Sequence, residues 1–430
     1  MKKISFITLL LSSLVLAKDI YTIDDLVIKA LELSPDLSIS SSKYEASKSN
    51  YDEAFSAYLP DVNLNAGAGI IGMSNIVTNN THNDTAIVGT LSLKQLIYDF
   101  GQTGGYADSS KVESAAYLSS FEQLISDKKR DVKSSYYGVL KAKSIIEVNI
   151  ENVKLNESQL YRSHKYFEAG IRTKIDVTDA RVELIKSKLQ LNDAQYALKS
   201  SYAQLDNTIG YMSPSRDYGV FYQKLDIQSI DLSKKQYEYD LKDSIKFAYK
   251  NRYSVKQQTQ LIASSELKQK VTSSEYYPQI YANADYQQQE LGDKLSSVTP
   301  IPKTQYSAMI NLNWNIYKGG SSNARNQAQK IQTKIAYSEL AFTKLSIKTE
   351  VTNAYINLDS SKDSVELSKN LLSASKEKFV QAGQRYEHGL SDYIELQQAR
   401  QGYIDASATL VNNYYDYFNA VAILDNAIGK

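Results

Sequence analysis

Three histidines, one glycine-rich run and a scatter of carboxylates carry most of the chemical potential of this 430-residue chain. His82, His164 and His388 do not stand at metal-ligand spacing. His82 falls in an expected loop and His164 on the surface of a long helix. The run Gly101-Gln102-Thr103-Gly104-Gly105 superficially resembles a phosphate loop, but no lysine follows at the position such a loop needs. It reads instead as a strand-to-helix corner. The acids are too dispersed to pair as general acid and base. Asp176 and Asp179 are spaced i, i+3, as are Glu395 and Gln398, so each pair shares one helix face. If symmetric copies ring an axis, such faces form a polar ring that favours cations. There is no cysteine, hence no disulfide or thiol chemistry, and the net charge of +1 suggests no nucleic-acid partner. No catalytic set, metal or cofactor is implied.

The elements that position these residues occur twice. Gly170 and Gly389 lie 219 residues apart, and the same step joins Tyr136 to Tyr355, Ala180-Arg181 to Ala399-Arg400, and Gly210 to Gly429. The step holds without a gap from Ile97/Ile316 onward and slips by one at Pro60/Pro278. Short repeats of 20 to 50 residues build solenoids; a repeat this long is a half-structure duplicated. The first repeat spans residues 18–210 and the second 240–430, with residues 211–239 as an equatorial linker packed outside the helices. Each half reads as helix, strand, strand, long helix, helix. The prolines lie only at 35, 60, 214, 278, 300 and 302, which leaves long helix-compatible spans.

Lys2 and Lys3, an apolar stretch to Leu16, and Val15-Leu16-Ala17 read as a cleaved secretory signal, residues 1–17. The stretch is short of the ~20 residues a membrane helix needs. A helix from Thr22 to Ala57 is broken at Ser34-Pro35, and its copy runs from Leu241 to Ser274. Strands are expected at about 60–72 and 85–98, and at about 278–289 and 304–317. Ala308, Ile310, Leu312, Trp314 and Ile316 alternate with Ser and Asn, giving one apolar and one polar face. The polar stretches Met73–Asp84 and Glu290–Thr304 read as hairpin connections. Such faces suit a half-buried soluble sheet or a transmembrane barrel. Four strands cannot close a barrel, and lipid tolerates no open edge. The barrel reading therefore demands several copies, and three give twelve strands.

Coiled-coil hairpins follow at about 104–210 and 321–429. Tyr106 to Ala169 as one helix would be about 95 Å long. Val132, Tyr136, Val139, Ile146, Ile150 and Val153 form a heptad seam broken at Lys143. The copy carries Val351, Tyr355, Leu358, Val365 and Leu372, broken at Lys362. The 34 tyrosines suit bilayer interfaces and wide helix contacts.

In this order, and twice, these features resemble the TolC-like outer membrane efflux protein family. The resemblance covers essentially the whole mature chain. It rests on Tyr58-Leu59-Pro60 and Tyr276-Tyr277-Pro278, on the corners Leu96–Gly101 and Asn315–Gly320, and on the tips Phe167–Ile171 and Tyr386–Leu390. The resemblance implies a mainly α fold with a transmembrane β-barrel, as a homotrimer of twelve strands continuing into a twelve-helix periplasmic tunnel. It implies an outer-membrane exit duct, in contact with outer-membrane lipid and working with a periplasmic adaptor and an inner-membrane transporter. Multidrug efflux and type I protein secretion both remain open. It further implies a periplasmic gate at Tyr386, Asp176, Asp179, Glu395 and Gln398. The gate arginine's place is taken by Ser391, and Arg172 supplies the cation. Gly170, Ile171, Gly389 and Leu390 are the implied adaptor-docking tips. The competing reading is a soluble periplasmic coiled-coil adaptor.

Overall fold

The computed structural model describes residues 19–75, 80–225, 237–292 and 302–430; the signal segment lies outside them. The chain divides into two units, one of residues 1–37, 124–250 and 347–430, the other of residues 38–123 and 251–346.

In chain order the elements are β1 (Asp19–Tyr21), α1 (Ile23–Leu33), α2 (Pro35–Ser56), β2 (Asp61–Asn75) and β3 (Asn80–Tyr98). Then come α3 (Gln102–Glu168), α4 (Lys174–Ile209), β4 (Tyr218–Val220), α5 (Leu241–Asn251) and α6 (Tyr253–Ser274). The chain finishes with β5 (Gln279–Leu291), β6 (Thr304–Asn313), α7 (Ser321–Glu387) and α8 (Tyr393–Ile428). The duplication is kept to the residue: α3 and α7 each have 67 residues, α4 and α8 each 36. Among the described residues no helix is long and apolar enough to cross a membrane.

Local chemistry sets the helix ends. The backbone N–H of Asp25 donates to the Thr22 hydroxyl, and Asp25 accepts the Thr22 N–H, a capping box that starts α1. Pro35 opens α2, where its missing N–H costs nothing. The second half differs from expectation here. The helix expected over Leu241–Ser274 is broken at Arg252, an extended and buried residue. Arg252 occupies the place of Ser34 under the shifted repeat, but no proline marks the break.

The helical unit has an apolar core of Leu26, Ala30, Val132, Val139, Leu205, Ile209 and Val220. Burying a side chain such as Leu26 stabilises by ~1.5–3 kcal/mol. The expected seam holds at Val132, Tyr136, Val139 and again at Val153, and loosens between them. Ile146 and Ile150 are only half-buried, while Ser144, Val148, Asn152, Asn156 and Gln159 are buried. A 3.6-residue helix drifts against a strict heptad, so the buried stripe takes in polar residues beside Val148 and Val153. In α7, Val351, Leu358, Val365 and Leu372 are buried as expected, with Tyr355 half-buried.

Lys143, the residue that interrupts the seam, donates from Nζ to the Val220 carbonyl at 2.9 Å. It thereby holds β4, which pairs in parallel with β1 in a two-stranded sheet that the sequence reading did not contain. Asp206 of α4 accepts both Arg216, at 2.8 Å, and the Tyr218 hydroxyl. Burial, then the Asp206 carboxylate, drives the Tyr218 phenol well above its ordinary pKa. The repeat partner Asp425 accepts the Tyr237 hydroxyl in the same way, at 2.6 Å.

Gly210 ends α4 at φ 76°, a left-handed cap, and a Cβ there would sit 2.7 Å from the Leu33 carbonyl oxygen. Gly389 shares the sign of φ, at 72°, but has open space around it. Gly210→Ala is therefore expected to lower the thermal midpoint more than Gly389→Ala. The second carries only the left-handed strain of ~1–2 kcal/mol. Equal midpoints by circular dichroism would refute the role of the Leu33 contact.

The other unit holds a four-stranded antiparallel sheet in the order β2-β3-β5-β6. β2 and β3 reach Asn75 and Asn80, so the connection expected over Met73–Asp84 is largely strand and His82 lies within β3, not in a loop. Apolar alternation marks only the part of a strand that needs an apolar face; the hydrogen-bond ladder runs on through Asn and Thr. β6 ends at Asn313, earlier than expected, and the indole N–H of Trp314 donates to the Tyr276 carbonyl at 3.1 Å. The helices of this unit meet on small polar residues. The Ser47 and Ser114 hydroxyls lie 2.9 Å apart, Ser119 donates to Gln260 at 2.8 Å, and Ser265 and Thr333 are bonded at 3.0 Å.

Candidate gate, docking tips and membrane face

Both helical hairpins turn the same way. Gly170 and Gly389 each adopt φ 72°. The next N–H donates back into the helix, Ile171 to the Tyr166 carbonyl at 2.9 Å and Leu390 to that of Arg385 at 2.8 Å. Glycine is needed because an L side chain resists this left-handed position. The following helices start differently. Asp176 accepts the N–H of Thr173, at 3.1 Å, in a capping box, whereas Asp392 accepts the N–H of Glu395 at 2.9 Å.

Above the turns lies a cluster of Ala180, Ala382, Tyr386, Tyr393, Leu396 and Ala399. Tyr386 is 3 % exposed, and its ring lies 6.2 Å from that of Tyr393 and 6.4 Å from that of Tyr166. Arg172, from the first hairpin, lies over the Tyr386 ring, 4.7 Å from its centroid. Its Nη2 donates to the Tyr386 carbonyl at 3.3 Å and to the Ser391 carbonyl at 3.4 Å. A cation thus meets the carbonyl end of α7, where the helix dipole favours it. Burial raises the Tyr386 pKa and Arg172 partly offsets this, so the phenol stays neutral near pH 7.

The structure brings Arg172 and Tyr386 together. Under the 219-residue step, position 391 is the counterpart of 172. The arginine absent from the second copy is present in the first, and it binds the backbone of the residue that replaced it. Two of the three acids are engaged elsewhere. Asp176 caps α4, Glu395 pairs with Arg385 at 3.2 Å, and Asp179 and Gln398 are exposed in the single chain. The sequence reading missed Arg385, Tyr393 and the bridge from Arg162 to Glu387, at 3.0 Å. His164 is exposed on α3 and His388 on the second turn.

The tips carry a duplicated apolar surface. Ile171 and Leu390 are 66 % and 70 % exposed, and one turn further Ile175 and Ile394 are 69 % and 58 % exposed. Ile175 and Ile394 are also 219 apart and were legible by that step alone.

On the sheet, Leu64, Ile70, Ile87, Ile310 and Leu312 are exposed. Strands β2 and β6 each have one ladder edge without a partner strand among the described residues. Apolar side chains and open edges of this kind must be covered by something other than water.

The outer membrane efflux protein family matches the chain over residues 26–211 and 245–430, one match per repeat. No curated protein sequence matches significantly. Several solved structures share the fold. The Campylobacter jejuni CmeC outer membrane channel aligns with a TM-score of 0.81 at 16% identity, covering 95% of this chain and 85% of that one. The Vibrio cholerae outer membrane protein VceC aligns at 0.79 with 15% identity, covering 95% and 96%. The open state of the Neisseria gonorrhoeae MtrE channel aligns at 0.77 with 14% identity, covering 95% and 88%. The family match displaces the soluble-adaptor alternative. The chain belongs to the outer membrane efflux protein family and is an outer-membrane protein.

Proposed function

We propose that three copies of this chain close their sheets into a twelve-stranded barrel, and that the trimer is a passive exit duct gated at its periplasmic end. The observation that carries this reading is the four-stranded sheet with apolar residues exposed and both edges open. Lipid forbids open edges, and a closed oligomer removes them. Exposed apolar residues on α7, including Ile356, Leu367 and Leu371, supply further surface for a neighbouring copy. Light scattering corrected for detergent should give the mass of three chains; a detergent-independent monomer would overturn the barrel.

In this reading Arg172 is the latch. It ties the first hairpin to the end of α7 through the Tyr386 ring and two carbonyls. Asp176 holds the start of α4 that follows Arg172, while Asp179, Glu395 and Gln398 line the polar constriction. The tips at Gly170-Ile171 and Gly389-Leu390 dock a periplasmic adaptor, which an inner-membrane transporter energises. Adaptor binding shifts the population from closed to open hairpins by binding the open form better. The duct performs no covalent chemistry. Its cargo is that of its transporter, small amphiphiles in efflux or a polypeptide in type I secretion.

Lipid contact is testable residue by residue. Ile310→Arg places a charge on the face assigned to the bilayer, at a cost of ~2–4 kcal/mol near the midplane. The expected outcome is loss of outer-membrane trimer on cell fractionation, while Asn311→Arg on the opposite face is tolerated. Equal trimer yields would contradict the assignment of faces.

A further inference from the structure

Within the helical unit, α3, α7, α8 and the segment after β4 enclose a cleft of about 660 Å³. That is the size of a site for a drug-sized molecule. Its floor is apolar, formed by Val148, Leu155, Leu372, Ile404 and Val411. One wall is flat. The rings of Phe379 and Tyr403 are stacked with centroids 5.6 Å apart and planes 10° apart.

The rim has a charge imbalance. Two acids and three lysines line it. Glu147 pairs with Lys224 at 3.4 Å, and Glu151 accepts the Tyr403 hydroxyl at 3.2 Å, so the rim carries one net positive charge. Lys369 and Lys376 have no carboxylate within 4.0 Å among the described residues. They stand two turns apart on α7, about 10 Å along the axis, above the apolar floor. An apolar slot with an aromatic wall and two ammonium groups in no ion pair complements one kind of ligand.

We propose that this cleft binds a drug-sized organic anion, with a flat apolar body on the Phe379–Tyr403 wall and a carboxylate or sulfonate at Lys369 and Lys376. None of the gate residues lines the cleft, although Phe379 also packs against the cluster that holds Tyr386. Such a ligand would bridge three helices from two hairpins, and so would brace α7 and α8 against α3.

The test is calorimetric titration of the full-length protein in neutral detergent with naphthalene-2-sulfonate, against 2-naphthalenemethanol as the neutral comparator. The anion should bind more tightly than the alcohol. Lys369→Gln with Lys376→Gln should weaken the anion about tenfold and leave the alcohol unchanged, since exposed ion pairs are individually weak. The Lys→Arg pair keeps the charge and should bind within about threefold of wild type. Ser373→Trp, at the cleft wall, should abolish binding of both probes. Equal binding of anion and alcohol, an unaffected Gln pair, or an unaffected Ser373→Trp variant would each overturn the proposal. The oligomeric mass of each variant is measured alongside. No conductance is read, so failure here leaves the duct reading untouched.

Discussion

Arg172→Ala should raise the single-channel conductance of the protein in planar bilayers several-fold, the largest functional change expected from a single substitution. The proposed latch consists of a guanidinium 4.7 Å from the Tyr386 ring centroid and two long bonds to the Tyr386 and Ser391 carbonyls. A desolvated cation–π contact is worth up to ~2 kcal/mol. The hydrogen bonds add less than ideal ones, because at 3.3 and 3.4 Å they are near the limit. A total of about 2 kcal/mol per chain corresponds to a roughly thirtyfold shift between closed and open hairpins. Tyr386→Ala removes the ring and should act in the same direction. Asp176→Ala acts through the cap, worth ~1 kcal/mol, and should have a smaller effect of the same sign. The decisive variant exploits the repeat. Arg172→Ser with Ser391→Arg moves the cation to the matching position of the other hairpin, and low conductance should return. Unchanged conductance in both Arg172→Ala and Tyr386→Ala would remove this cluster from the gate.

That swap was visible in the sequence before any coordinates, because the 219-residue step aligns 172 with 391. The same step aligns the two tip glycines and the capping glycines 210 and 429, all in the left-handed region. Glycine positions and apolar alternation are one-dimensional signals, and they survive into the fold. Buried polar residues leave no such signal. Ser144, Asn152, Asn156 and Gln159 take the core of α3 below Lys143, and Ser47, Ser114, Ser119 and Ser265 join the helices of the sheet-bearing unit. A hydrophobic pattern search passes over them. The β1–β4 pair escapes for another reason. Three residues against three, some 200 positions apart, carry no periodicity and form only because α1 and α4 bring them together. The break at Arg252 has no proline, so only the repeat alignment could have located it.

The tips give the second large effect. Ile171, Ile175, Leu390 and Ile394 form the same apolar step twice, each more than half exposed, on hairpins that the family reading sends toward an adaptor. Burying such side chains in a partner is worth ~1.5–3 kcal/mol each. That is comparable to the cost of releasing Arg172, so docking at the tips can drive opening. Ile175→Glu with Ile394→Glu replaces apolar knobs by charges that a dry interface leaves unpaired. Both positions follow the turns and lie outside the Tyr386 cluster, so the closed conductance should stay at the wild-type value. Transport driven by the adaptor and transporter should fall by more than tenfold, measured as dye accumulation in cells. A polar but uncharged pair, Ile175→Thr with Ile394→Thr, should give an intermediate loss. If the Glu pair transports normally, docking does not use these residues; if its conductance rises, they belong to the latch and not to the interface.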